Sequence, residues 1–167
     1  LILKQLNEKY YKDWGISPIP DEKLPPAGGL GLRVQRYGML RWGDLFNKRQ
    51  LSVILYTANL IRDVGDTLSK YNIDEEYINA IICYMCLGFT KGLTTNNTLC
   101  RWNQNAEGII GKPDQFGTLQ MQWIYPETLP FSNETGSFNK HFKSVFETID
   151  GLNVNNKEIE VSQCSAQ

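Results

Sequence analysis

The sequence predicts a predominantly helical α+β fold: a helix hairpin, a third amphipathic helix, a long irregular segment and few short strands. Three observations carry that prediction. Apolar residues recur at helical spacing through two long windows near the middle and a third towards the C-terminal end, while the Asn-, Thr- and Gly-rich tract between them keeps no period.

Residues 2 to 13 read as a short amphipathic helix. The prolines and glycines of "GISPIPDEKLPPAGGLG" then mark an irregular connector. Residues 1–28 thus form an N-terminal helix and connector, and 29–167 a helical module. Gly28, Gly29 and Gly31 suggest a phosphate-binding loop only superficially: no apolar strand precedes them and no complete G-x-G-x-x-G follows, so a turn is the better reading.

The strongest helix spans about Lys48 to Tyr71, with Asn47 placed to cap it and Gln50 at the capping-box position. Its stripe of Leu51, Ile54, Leu55, Ala58, Ile61 and Leu68 faces a core. A second helix runs from about Asp74, a good cap, to Gly92, with Ile78, Ile81, Ile82, Met85 and Phe89 on its apolar face. The link "YNI" is short enough to force an antiparallel hairpin. Beyond Leu93 the pattern loosens as far as Ser137, with one strand or short helix expected near 118 to 125. Such long irregular stretches carry function or wrap a scaffold. A third helix follows at 138 to 149, carrying Phe138, Phe142, Val145, Phe146 and Ile149, and Ile159 and Val161 in "KEIEVSQC" alternate as in a strand.

With 167 residues, 41% of them hydrophobic and 21% charged, the chain is long enough to bury a real core. Its net charge of −1 argues against coating nucleic acid or membrane through overall charge. Locally the balance differs. From Arg33 to Gln50 five cations face the single acid Asp44, a balance of +4, leaving 12 cations against 17 acids elsewhere. No run of about 18 apolar residues and no secretory signal occurs, which predicts a cytoplasmic protein with no membrane partner. The opening Leu and the abrupt ending "VSQCSAQ" suggest a piece of something larger.

Four cysteines at 83, 86, 100 and 164 are too unevenly spaced for a disulfide framework. Cys83 and Cys86 form a CxxC inside a helix with no second CxxC, so semi-buried thiols are a better reading than a metal site. The lone His141 lies on a helix flank and reads as a surface side chain rather than a catalytic base. Asp74, Glu75 and Glu76 oppose the macrodipole at a helix N-terminus and need no further purpose. The sequons at Asn96 and Asn133 read as chance matches without an export signal.

"RVQRYGMLRWGDLF", residues 33 to 46, is harder to dismiss. Arginine offers a planar fork of donors that matches phosphate or a guanine edge, and aromatic rings offer faces for displaced bases. The competing reading packs Tyr37, Met39, Leu40, Trp42, Leu45 and Phe46 on the hairpin, with the arginines edging that core. A second island, "TLCRWN", repeats the Arg-Trp pairing.

The segments "GLGLRVQRYGMLRWGDLFNKRQL", "NNTLCRWN", "MQWIYPETLPFSNETGSF" and "VSQCSAQ", in that order and at about these spacings, resemble the large prokaryotic adenine-specific DNA methylases that contain a zinc ribbon. Residues 1 to 28 match only loosely, and Leu129 stands where Asn is expected beside the proline, which unsettles any role for 126 to 131. The resemblance implies a region between a cofactor-binding glycine motif and an Asp-Pro-Pro-Tyr catalytic motif, neither of which is present here. By this implication the parent is an S-adenosylmethionine-dependent adenine N6-methyltransferase acting on DNA. This region alone holds no cofactor, performs no catalysis and has DNA and the rest of the methyltransferase chain as its partners. The final strand would belong to the catalytic core. Amino methylation needs the base turned out of the helix. Arg33, Arg36, Arg41, Lys48 and Arg49 are then candidates for phosphate contacts, Arg101 and Asn103 for base reading, and Tyr37, Trp42 and Trp102 for wedges or stacking faces. The alternative is a structural or protein-interaction module that docks on the catalytic domain.

Overall fold

The computed structural model describes residues 2–28, 32–105, 107–111 and 119–152. It is a predominantly helical α+β fold with four α-helices and one two-stranded antiparallel sheet among those residues. The expected strand around Ile159 and Val161, together with Cys164 and Gly29 to Gly31, lies outside them.

Helix α1, Ile2–Trp14, stops where Gly15 takes a left-handed φ of 72°. Its Tyr10 is 2% exposed and stacks on Trp14 at 4.9 Å, while Arg62 from the next helix covers the Trp14 ring at 5.3 Å. The connector then returns to pair with the basic segment. Leu24 N–H donates to Leu40 O at 2.8 Å, and Trp42 N–H to Glu22 O at 3.1 Å. A close approach fixes Gly43, because a Cβ there would sit 2.7 Å from Pro20 O.

Two single 3₁₀ turns, Val34–Tyr37 and Trp42–Leu45, make up the basic segment. Each points its apolar residue inward: Leu24, Val34, Leu45 and Leu99 form a core under the segment, with Met39, Phe46 and Leu119 packed against it. Tyr37, Leu40 and Trp42 were expected in the core on the competing reading, yet all are exposed. Each 3₁₀ segment is one turn long and buries a single apolar side chain, Val34 in the first and Leu45 in the second, and Leu40 lies on the link between them.

Helix α2 spans Lys48–Leu68, three residues shorter at its end than expected. Its capping box is complete, Asn47 Oδ1 accepting from Gln50 N–H and Gln50 Oε1 from Asn47 N–H, both at 2.9 Å. Leu51, Leu55 and Ile61 are buried as the stripe predicts. Helix α3, Glu75–Thr95, folds back on α2, and Ile82 approaches Gly65. Asp74 occupies the N-cap without a side-chain capping bond. Helix α4, Phe138–Gly151, is capped by Ser137 Oγ accepting from Lys140 N–H at 3.1 Å, and it lies tightly along α3, Phe142 over Gly88 and Phe138 over Gly92.

No strand or helix forms over 119–125, contrary to expectation. The sheet lies earlier: β1, Arg101–Asn103, pairs with β2, Gly108–Ile110, in the register Trp102↔Ile109. Asn103 Oδ1 accepts from Asn105 N–H at 3.1 Å and tightens the turn between them.

Candidate nucleic-acid interface

Residues 33 to 49 are presented by the two turns and the first residues of α2. Val34 and Leu45 anchor the turns, so Arg33, Arg36, Arg41 and Lys48 project to solvent. Among the described residues none of these four has an ion-pair partner within 4.0 Å. The nearest acid in sequence, Asp44, turns its Oδ2 onto the backbone instead, accepting from Leu40 N–H and Arg41 N–H at 2.8 Å each. Tyr37, Arg41 and Lys48 line one open groove of about 490 Å³ between α1 and the basic segment, and Asp21 and Asp44 line it too. Arg33, Arg36 and Trp42 stand on the adjoining turns outside that lining.

Arg49 behaves differently. Its guanidinium makes a two-point contact with Glu127 Oε2, through Nε at 3.1 Å and Nη2 at 2.9 Å. Asn47 Nδ2 donates to the other oxygen of the same carboxylate and to Tyr125 Oη at 3.1 Å. Arg49, expected to contact phosphate, also takes part in a clamp that holds 125–127 on the start of α2. The carboxylate offsets part of the Arg49 charge, while the outer guanidinium N–H groups remain exposed.

Arg101, Trp102 and Asn103 lie on β1 and line a separate, shallow groove of about 300 Å³. The two islands are joined through Thr98, whose N–H and hydroxyl both donate to Leu45 O, at 2.9 and 2.8 Å. Trp102 also borders a cleft lined by Glu107, Glu127 and Glu134. Three carboxylates beside that ring oppose a phosphate on that side.

Trp123, not singled out by its residue type, meets Tyr37 edge to face at 5.5 Å and is 77% exposed. It extends the aromatic surface beyond the basic segment. No spacing rule links positions 37 and 123; the only advance signal was an unpaired Trp inside an irregular tract.

The remaining reactive side chains are dispersed. Cys83 and Cys86 are exposed on α3 rather than semi-buried, and among the described residues no group of three His, Cys, Asp or Glu gathers into a metal-binding set. His141, expected at the surface, is partly buried with Nε2 3.0 Å from Thr95 Oγ1. Asn96 is buried, its amide nitrogen donating to Gly92 O and Gly136 O at 2.8 and 2.9 Å, so its sequon is closed to modification in the folded chain. No described helix is long and apolar enough to cross a membrane. Comparison with protein-family models, with curated proteins and with solved structures finds no match to this chain.

Proposed function

We propose that this chain is the substrate-binding region of an S-adenosylmethionine-dependent adenine-specific DNA methyltransferase, gripping the duplex without performing chemistry. One observation carries the reading: four exposed cations, Arg33, Arg36, Arg41 and Lys48, lack carboxylate partners among the described residues and stand beside the exposed rings of Tyr37 and Trp42. The resemblance to the methylases supplies the reaction class and the partner domain.

Fluorescence anisotropy with a duplex tests it. Four neutralised phosphates give a log-log salt slope of about −3.6. Arg36→Ala and Arg41→Ala should each weaken binding and flatten that slope by about one. Binding indifferent to both substitutions would remove the contact patch.

A second reading, a module that docks on the catalytic domain, is favoured by the apolar surface that adjoins Tyr37 through Trp123. Trp123, Ile124 and Leu129 are 77%, 89% and 76% exposed, a run of apolar side chains that water alone does not satisfy. Stable co-elution with the catalytic domain in the absence of DNA supports docking, and Ile124→Asp should abolish it.

A further inference from the structure

We propose that the outer face of α3 pairs with the same face of a second copy of this chain, the two helices running antiparallel about a twofold axis between Cys83 and Tyr84. Between Glu76 and Lys91 the helix carries no charged residue. A helix that is uncharged on every side belongs in an interior. The inner side of α3 is in one: Ile78, Gly88 and Gly92 are buried, and α2 and α4 pack against it. The outer side is not. Tyr77, Tyr84 and Leu87 are 62%, 40% and 56% exposed, with Ala80 and Cys83 exposed among them. Tyr77, Ala80, Tyr84, Leu87 and Lys91 keep the alternating three- and four-residue steps of a helix-pairing seam, and Cys83 lies beside it.

The charges at the two ends of the seam choose the occupant. Glu76 closes it on one side and Lys91 on the other, both exposed. A twofold interface must be its own complement, a requirement that only a second copy imposes. Antiparallel pairing about the midpoint of the seam meets it, because Glu76 of one copy falls opposite Lys91 of the other at both ends. The same register sets Ala80 against Leu87, a small side chain against a large one, and Cys83 against Tyr84. A parallel pair would instead set Glu76 on Glu76 and Lys91 on Lys91.

The seam is about 20 Å long, which is short for an obligate dimer, so the pairing is weak and concentration-dependent. It shares no residue with the basic segment or with 123–129. Loss of the DNA-binding reading leaves it intact, and the reverse also holds.

Sedimentation of the full chain without DNA, from about 5 to about 500 µM, tests the proposal. The average mass should climb from monomer towards dimer over that range. Leu87→Glu changes an exposed position and removes two apolar side chains from each dimer; it should weaken pairing at least about 100-fold with an unchanged circular dichroism spectrum. Glu76→Lys alone should weaken pairing about tenfold at low salt, and adding Lys91→Glu should restore it to within about threefold. A chain that stays monomeric throughout, a mass that climbs past the dimer, a dimer indifferent to Leu87→Glu, or a charge reversal without rescue overturns it.

Discussion

Replacing Gly92 with alanine should destabilise this protein, although the same exchange strengthens most helices. A bare helix gains about 1 kcal/mol from it, through backbone entropy lost by the unfolded chain. Here a Cβ at position 92 would run into the Phe138 ring, and one at 88 would sit 2.6 Å from Phe142 Cδ1 and 3.2 Å from its Cα. Phe138 cannot step aside. It has no exposed surface, its N–H is bonded to Pro130 O at 2.8 Å, and its ring lies 5.6 Å from Phe89. Overpacking a closed site costs about 1–3 kcal/mol, so a severe overlap should leave a net loss of about 1–2 kcal/mol for Gly92→Ala. Gly65 is the internal control. Its nearest neighbours would be Ile82 carbons at 3.5 and 3.6 Å, ordinary contact, so Gly65→Ala should gain up to about 1 kcal/mol. Urea titration followed by far-UV circular dichroism separates the two, and melting points should diverge by about 2–12 °C. If Gly92→Ala proves as stable as Gly65→Ala, α4 does not seat on the glycine face of α3 as described.

The other expectations concern the α2 cap, the paired arginine and the alkaline limit. Asn47→Ala removes the acceptor for Gln50 N–H together with the donor to Tyr125 and Glu127, and should cost about 1–2 kcal/mol by denaturant melts. Arg49→Ala should leave duplex affinity near that of the parent while Arg41→Ala lowers it, since only Arg49 is neutralised by Glu127; equal losses in anisotropy would contradict that division. Burial, and then the charges of Asp63, Tyr56 and Asp13, hold the Tyr10 phenol above its ordinary value of 10. With the folded value raised, the stability Tyr10 lends is complete below the unfolded value near 10 and drains away as pH climbs through the folded one. Tyr10→Phe should therefore flatten the fall of unfolding free energy above pH 10, and an unchanged alkaline slope would exclude Tyr10 as its source.

What could be read beforehand was local. The α2 cap needs only Asn47 and Gln50 three residues apart, and the stripe of Leu51, Leu55 and Ile61 repeats within a single helix. The exposure of Arg33 and Arg36 was also legible in part, because apolar Val34 sits between them. Long-range pairings were not. Phe138 and Gly92 are distant in sequence, and nothing local to α3 says that two phenylalanines with the spacing of Gly88 and Gly92 lie across those glycines. The hairpin of 101–110 escaped because three-residue strands fall below any periodicity, leaving only "GII" as a trace. Arg49 looked like its neighbours Lys48 and Arg41; only a carboxylate far down the chain distinguishes it.

That distinction bears on how the basic segment works. A charge cluster on an acidic chain is pulled two ways: its own carboxylates compete with any external phosphate, and the shorter, better oriented contact wins. At Arg49 an internal contact forms, with Glu127 also gripped by Asn47 and so positioned at the start of α2. At Arg41 it does not. Asp44 lies three residues away and is within reach in sequence, yet two backbone N–H groups take its Oδ2 and fold the carboxylate into the turn. The amides of Leu40 and Arg41 thereby hold the Asp44 carboxylate on the backbone, and no ion pair within 4.0 Å forms between it and Arg41. Replacing Asp44 with asparagine would keep one acceptor oxygen for those amides and remove the charge. The turn thus makes Asp44 a structural acceptor first and an electrostatic competitor second, and that ordering leaves Arg41 without a carboxylate within 4.0 Å among the described residues, on a chain whose net charge is −1.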